Sequence, residues 1–89
     1  MKTFYQPSFI KDLKALKSTA AFPQIKKLVF ENIPTYQTID DISNLKKLKG
    51  EEKFYRIRVG DYRIGIIFEK EVVTFERVLH RKDIYRYFP

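Results

Sequence analysis

The chain has 89 residues, enough for one domain, which we expect to span residues 1–89 with a small hydrophobic core. Hydrophobic residues make up 44% of the sequence and aromatic residues 16%, so the composition indicates a packed protein and excludes a disordered one. The absence of cysteine excludes disulfides and thiolate metal sites, and the single histidine cannot form a zinc site alone.

Basic residues outnumber acidic ones by 18 to 11, which gives a formal net charge of +7. Such a charge favours a polyanionic partner, such as nucleic acid, an anionic membrane or an acidic protein, although it also serves solubility alone. The sequence has no apolar run of the length needed for a signal peptide or a membrane span. We therefore expect a cytoplasmic protein with no membrane partner.

The amino-terminal part of the chain predicts one strand and two helices. Residues Lys2–Tyr5 have the pattern of a short strand, and a Pro-Ser pair then starts a helix over residues 7–17. A second helix is predicted over residues 20–32, with a proline in its first turn. Each helix carries one apolar stripe and the link between them is short, so we expect a two-helix hairpin on one face of a sheet. The stripes are Phe9, Leu13 and Leu16 in the first helix, and Phe22, Ile25, Leu28 and Val29 in the second.

The carboxyl-terminal part of the chain predicts three strands. Residues 34–50 have weak periodicity, in which Ile42, Leu45 and Leu48 indicate a short helical turn. Further along, apolar residues alternate with polar ones, which predicts an antiparallel meander with tight turns. With the first strand, the meander completes a four-stranded sheet, so the predicted fold is α+β with a short carboxyl-terminal tail or helical turn. The predicted strands are 53–59, 62–68 and 72–79, and the tail is 81–89.

Arginine is confined to the last part of the chain, whereas the amino-terminal half uses lysine alone. Arginine presents a planar fork of donors that suits phosphate oxygens. The alternation in the first two meander strands directs Arg56, Arg58 and Arg63 to the face of the sheet opposite the helices, which is expected to be free. Like charges on paired strands repel, so phosphate binding explains this arrangement better than a purely structural role. The arginines are Arg56, Arg58, Arg63, Arg77, Arg81 and Arg86.

The carboxyl-terminal tail combines cations with aromatic side chains. Ile84 and Phe88 are four residues apart and are expected to pack inward on a helical turn, which leaves Tyr85 free to stack on an unpaired base. The alternative is a tail whose rings only complete the core. His80 is the candidate general acid or base because histidine changes charge near neutral pH, although a lone histidine is more often structural. No phosphate-binding loop, dinucleotide fingerprint or zinc motif occurs, so we expect no cofactor and no metal site.

Two segments resemble the signature of RelE/ParE-superfamily toxins, the toxin components of type II toxin-antitoxin systems. They are Leu48-Lys49-Gly50 with Phe54-Tyr55-Arg56-Ile57-Arg58-Val59-Gly60-Asp61-Tyr62-Arg63-Ile64, and His80-Arg81-Lys82-Asp83-Ile84-Tyr85. The resemblance favours the RelE-like branch, and it implies an endoribonuclease that cleaves mRNA on the ribosome without a metal. In that reaction a ribose 2′-hydroxyl attacks the neighbouring phosphate. The resemblance also implies a cognate antitoxin whose acidic side chains complement the net charge of +7.

The same resemblance assigns roles to individual side chains. Arg56 and Arg58 occupy strand positions expected to hold flanking phosphates, and Arg63 is expected to stabilise the transition state. Arg81 would assist the leaving group. Arginine stays charged and is a poor proton acceptor, so His80 is the hypothetical base where other members use lysine.

Two alternatives to an RNA-cleaving toxin stay open. A ParE-like toxin poisons DNA gyrase by binding a complex of protein and DNA, and the retained basic and aromatic residues argue mildly against it. A non-catalytic RNA-binding module would use the arginines to bind the phosphate backbone without aligning a ribose for attack.

Overall fold

In the computed structural model, which describes residues 1–89, helices and strands are segregated along the chain in the way typical of an α+β fold. One strand is followed by two helices, then by four strands and a last short helix. The fold class predicted from the sequence is therefore confirmed. The elements are β1 Lys2–Tyr5, α1 Pro7–Ala15, α2 Phe22–Lys27, β2 Leu45–Lys47, β3 Phe54–Val59, β4 Tyr62–Glu69, β5 Val72–His80 and α3 Ile84–Tyr87.

The sheet has five strands in the order β1-β5-β4-β3-β2, one strand more than the sequence predicted. β3, β4 and β5 form the expected antiparallel meander, and β1 pairs with β5 in parallel. The additional strand, β2, pairs antiparallel with β3, so that Leu45 lies opposite Ile57 and Lys46 opposite Arg56. The helical turn that the sequence predicts here is wrong, because a strand of three residues is too short to show an alternating pattern.

The helices are shorter than their apolar stripes predicted. α1 ends at Ala15, and α2 loses regular α-helical geometry after Lys27, where the chain continues as a π-helical turn over Leu28–Asn32. Two short 3-10 turns follow, Ile33–Thr35 and Ile39–Asp41. No helix has the length and apolar character required to cross a membrane.

The hydrophobic core lies between the two helices and one face of the sheet. Tyr5 on β1 stacks on Phe75 of β5 at a ring-centroid distance of 5.0 Å, and its hydroxyl donates a 2.6 Å hydrogen bond to the carbonyl of Val29. These contacts join the first strand to the sheet and to the π-helical turn that follows α2. The buried core residues are Phe9, Leu13, Ile25, Val29, Ile33, Ile42, Ile57, Val59, Ile64, Ile66, Val73, Phe75 and Val78.

The other face of the sheet is only partly free, which corrects the prediction of an uncovered surface. The carboxyl-terminal segment crosses this face, and the ring of Phe88 lies directly over Gly65 in the middle of β4. Ile84 has no exposed surface and Phe88 is 3% exposed, whereas Tyr85 is 60% exposed. The prediction that Ile84 and Phe88 pack inward and leave Tyr85 outside is confirmed.

Candidate functional site

A row of cations crosses three neighbouring strands on the face opposite the helices. Successive side chains of a strand point to opposite faces, so Arg56 and Arg58 share a face while Ile57 between them enters the core. Arg58 lies directly opposite Arg63 in the pairing of β3 with β4, and Lys46 of β2 lies directly opposite Arg56. The structure therefore brings together the three arginines that alternation predicted and adds a lysine.

These cations line an open groove of about 320 Å³, which we call the arginine groove. Its wall includes Asn44, whose backbone carbonyl accepts a 3.2 Å hydrogen bond from the Arg58 N–H. The Asn44 side-chain oxygen also accepts a 3.4 Å contact from Arg58 Nη2. Asn44 has a φ of 62°, a left-handed conformation that asparagine adopts more readily than most residues. The groove is lined by Asn44, Leu45, Lys46, Arg56, Arg58 and Arg63.

Arg63 lies at the centre of the charge cluster. Its Nη1 donates hydrogen bonds to the carbonyls of Gly60, at 2.8 Å, and Tyr62, at 3.0 Å. Burial lowers the pKa of Arg63, and the neighbouring charges of Arg56 and Arg58 lower it further. Those two arginines therefore repel the Arg63 guanidinium. An anion bound among the three would relieve this repulsion.

Arg81 and Tyr85 reach the same site from the carboxyl-terminal segment. The Arg81 N–H donates a 2.7 Å hydrogen bond to the carbonyl of Asp61, and Arg81 Nε lies 3.8 Å from Asp61 Oδ1. Both Arg81 and Tyr85 act on the pKa of Arg63, Arg81 lowering it and Tyr85 raising it. The turn between β3 and β4 thus holds Arg81 beside Arg63, with the exposed Tyr85 ring nearby.

The cluster has almost no carboxylates to neutralise it. The only ion pair among these arginines is the 3.8 Å contact of Arg81 with Asp61, in which both side chains are more than half exposed. Arg56, Arg58 and Arg63 have no carboxylate oxygen within 4 Å. Unneutralised guanidinium groups have the planar donor geometry that suits phosphate and other oxyanions. His, Asp and Glu side chains nowhere form a group of three that could hold a metal ion.

His80 lies apart from the arginine groove. In the pairing of β4 with β5 it is opposite Tyr62, and the two rings are packed edge to face with centroids 5.6 Å apart. Tyr62 packs against the core, so alternation places His80 on the helix side of the sheet. Its Nδ1 accepts a 3.1 Å hydrogen bond from the Lys82 N–H. The structure does not support the expectation that His80 joins the arginines. Tyr62 and Arg63 are neighbours on β4 and point to opposite faces, and His80 shares the face of Tyr62.

Arg77 is also separate, although the sequence grouped it with the other arginines. Its Nε and Nη2 donate to the Asp12 carboxylate at 2.7 and 3.0 Å, and Asp12 also accepts the Val78 N–H. The side-chain hydrogen bond to Asp12 raises the pKa of Arg77. The guanidinium lies 5.2 Å from the centre of the Tyr87 ring. Arg77 therefore joins α1 to β5, and its charge is already neutralised.

Comparisons with known proteins agree on one family. Residues 4–85 match a family model described as the ParE toxin of the type II toxin-antitoxin system parDE. Toxin RelE3 of Methanocaldococcus jannaschii is 42% identical over 90 residues, which cover 100% of each chain. A solved RelB-RelE antitoxin-toxin complex from Methanococcus jannaschii matches with a TM-score of 0.77 and 41% identity, covering 97% of this chain and 99% of that chain. The RelBE2 complex from Mycobacterium tuberculosis, at 20% identity, shares the fold with a TM-score of 0.68 over 90% of this chain and 96% of that chain.

Proposed function

The chain belongs to the RelE/ParE superfamily of type II toxins, and on that premise we propose that it is an endoribonuclease that cleaves mRNA on the ribosome. The observation that carries this proposal is the groove lined by Arg56, Arg58 and Arg63, with Arg81 bound to the adjoining β3-β4 turn and an exposed Tyr85 on the same carboxyl-terminal segment. Cations recognise the phosphates of any nucleic acid, whereas a free aromatic ring beside them suits an unstacked base. Single-stranded RNA therefore matches this surface better than a duplex does.

The proposed reaction needs stabilisation of charge on a phosphate. A ribose 2′-oxygen forms a bond to the neighbouring phosphorus while the bond from phosphorus to the 5′-oxygen of the next nucleotide breaks. The 2′-hydroxyl loses a proton and the departing 5′-oxygen gains one, which leaves a 2′,3′-cyclic phosphate and a 5′-hydroxyl. Negative charge accumulates on the phosphate oxygens in the transition state, where preorganised donors are most effective.

We assign the stabilisation of that negative charge to the arginines. Arg63 and Arg81 neutralise the reacting phosphate, because they lie together at the turn between β3 and β4. Arg56 and Arg58 hold flanking phosphates along the groove, with help from Lys46 opposite Arg56. Guanidinium groups stay protonated and supply charge instead of accepting protons. The assignment leaves His80 out of the proton transfer because of its position on the helix side of the sheet.

Tyr85 is assigned to the substrate base next to the reacting phosphate. Its ring is 60% exposed and lies near Arg63. A base that stacks on this ring would be held with its ribose close to the arginines.

We propose that a cognate antitoxin covers the same groove. Solved relatives of this chain include RelB-RelE complexes of toxin with antitoxin. The groove cations lack carboxylate partners, and acidic side chains of an antitoxin would complement them. Replacing Lys46, Arg56 and Arg58 with glutamine should weaken antitoxin binding measured by calorimetry. Undiminished affinity in that variant would show that the antitoxin binds elsewhere.

The test of the proposed activity is cell-free translation with purified protein, followed by primer extension on the mRNA. The wild type should produce discrete cleavage sites. Arg63→Ala and Arg81→Ala should each lower the cleavage rate about a hundred- to a thousandfold, which is the usual effect of losing one preorganised contact. Lys14→Ala removes the same charge from the exposed face of α1 and should cleave like the wild type. An intact mRNA with the wild-type protein would reject the proposal.

A second candidate function is inhibition of DNA gyrase. The observation in its favour is that the matching family model describes ParE toxins of parDE systems. The retained basic and aromatic residues Arg63, Arg81 and Tyr85 argue mildly against it. A supercoiling assay with purified gyrase separates the two: inhibition without mRNA cleavage would replace our proposal with this one.

A further inference from the structure

Gly65 occupies an unusual place for a glycine, in the middle of a central strand. It is paired with Arg56 of β3 on one side and with Arg77 of β5 on the other. A methyl group at this position would lie 2.6 Å from Cγ and Cδ2 of the Phe88 ring, and 2.8 Å from Cδ1. A glycine inside a strand weakens the strand, and it is typically found where another group approaches the backbone closely. Here that group is the Phe88 ring.

Ile84 and Phe88 are the two side chains of the carboxyl-terminal segment that are buried against the sheet. Phe88 also contacts Phe54 edge to face at a centroid distance of 5.6 Å. α3 has only four residues, and helices this short have no stability of their own in water. Its internal contacts amount to hydrogen bonds such as the one from the Phe88 N–H to the Ile84 carbonyl, at 2.9 Å. The position of the segment therefore depends on where Ile84 and Phe88 are buried.

Tyr85 lies between these two anchors and has no buried contact surface comparable to theirs. We propose that Gly65 is a positioning residue: by leaving room for the Phe88 ring, it fixes the segment that holds Tyr85 beside the arginine groove. This inference rests on the proposed endoribonuclease activity, in which Tyr85 stacks on a substrate base. The arginines of β3 and β4 do not depend on the segment, because the strands themselves hold them.

Displacement of Phe88 should therefore affect the cleavage step more than RNA binding. In Gly65→Ala the rigid ring has to move, and the mobile partner is the short segment, because β4 is paired on both sides. A misplacement of about 1 Å in a reacting group lowers rates on the order of a hundredfold. We expect Gly65→Ala to lower the saturated cleavage rate by roughly ten- to a hundredfold, with little change in the half-saturating toxin concentration.

The experiment has one structural and one kinetic measurement. The N–H groups of Arg86 and Phe88 donate to the carbonyls of Asp83 and Ile84. Amide hydrogen exchange should show that these two N–H groups lose protection in Gly65→Ala, while β4 and β5 stay protected. Single-turnover cleavage on programmed ribosomes then compares wild type, Gly65→Ala, Phe88→Ala and the double variant. Phe88→Ala releases the segment without any change in β4, so the proposal can be tested even if Gly65→Ala fails to fold.

The double variant tests whether Gly65 affects the cleavage rate through the Phe88 ring. If Gly65 acts through the Phe88 ring, Gly65→Ala should have no further effect on the cleavage rate once Phe88 is alanine. Independent, additive losses would overturn the proposal, as would unchanged exchange at Arg86 and Phe88 in Gly65→Ala. Failure of the proposed function looks different, because the wild type would then cleave nothing while the exchange result still stood.

Discussion

Arg58 and Arg63 face each other across β3 and β4 without a carboxylate within 4 Å of either guanidinium. Like charges at directly opposite positions destabilise an antiparallel pair. Arg58→Gln should therefore raise the free energy of unfolding by about 0.2–1 kcal/mol, near the lower limit because Arg58 is exposed. The same variant should cleave mRNA more slowly, since the site loses a phosphate contact.

Urea unfolding at low salt measures the expected gain in stability. The difference between Arg58→Gln and wild type should shrink in 1 M salt, where a Debye length of about 3 Å screens surface charges. Lys14→Gln removes a similar charge away from the groove and should change stability less. A destabilised Arg58→Gln would mean that the contact of Arg58 with Asn44 outweighs the repulsion.

Substitution of His80, unlike that of Arg58, should leave the cleavage rate almost unchanged. Its ring packs on Tyr62, and its Nδ1 accepts the Lys82 N–H on the helix side of the sheet. Glutamine keeps a hydrogen-bond acceptor and removes the imidazole ring, so His80→Gln should cleave within about threefold of the wild-type rate, measured by primer extension. A loss of about a hundredfold or more would return His80 to the role of general acid or base.

The sequence predicted the groove arginines because alternation is a local property. Arg56 and Arg58 flank Ile57, so the burial of one residue fixes the direction of the other two. Alternation also separates His80 from the arginines, but the sequence showed only its proximity to Arg81. Asn44 and Lys46 were missed because their place depends on β2 pairing with β3.

At the scale of elements, the two hairpin turns differ in how well their residues match their backbone. Gly60 has a φ of 59° at the first position of its two-residue turn, where glycine is favoured. In the turn between β4 and β5, Lys70 and Glu71 have φ values of 51° and 63°. Non-glycine residues in this left-handed region are strained by roughly 1–2 kcal/mol each.

Glu71→Gly should therefore stabilise the protein. Relief of about 1–2 kcal/mol is partly offset by about 0.5–1 kcal/mol of chain entropy that glycine loses on folding, which leaves a gain of up to about 1.5 kcal/mol. Urea unfolding measures it, and Glu52→Gly is the matched control, because Glu52 is an exposed acid without a positive φ. Equal effects of both substitutions on stability would mean that the strain at Glu71 is negligible.

The strand elements could be predicted from sequence more fully than the helical ones. β1 was predicted with its observed bounds, and the three meander strands differ by about one residue at an end. Their alternation and tight turns are local signals. The change from α to π geometry after Lys27 has no such signal, since the apolar stripe is the same in both. Gly65 did carry a signal of close approach, but only the structure identifies Phe88 as the group that approaches.

At the scale of the whole molecule, the site is assembled from three separate parts of the chain. The β3-β4 hairpin supplies Arg56, Arg58 and Arg63, β2 and the residue before it supply Lys46 and Asn44, and the carboxyl-terminal segment supplies Arg81 and Tyr85. The net charge of +7 indicated an anionic partner. The groove is where cations lack carboxylate partners, so it is the part of the surface at which we expect that partner to bind. Long-range packing decides which segments meet, so the full set of residues required the structure.

The most direct test of the central claim uses an mRNA in which one nucleotide lacks its 2′-hydroxyl. The cleavage site is first mapped on programmed ribosomes with the unmodified message, and the nucleotide 5′ to the cut is then replaced by its 2′-deoxy form. Our account predicts cleavage with a 2′,3′-cyclic phosphate end in the first message and no cleavage at that site in the second. Cleavage of the deoxy message at the same site would contradict attack by the 2′-oxygen, and with it the role assigned to the arginine groove.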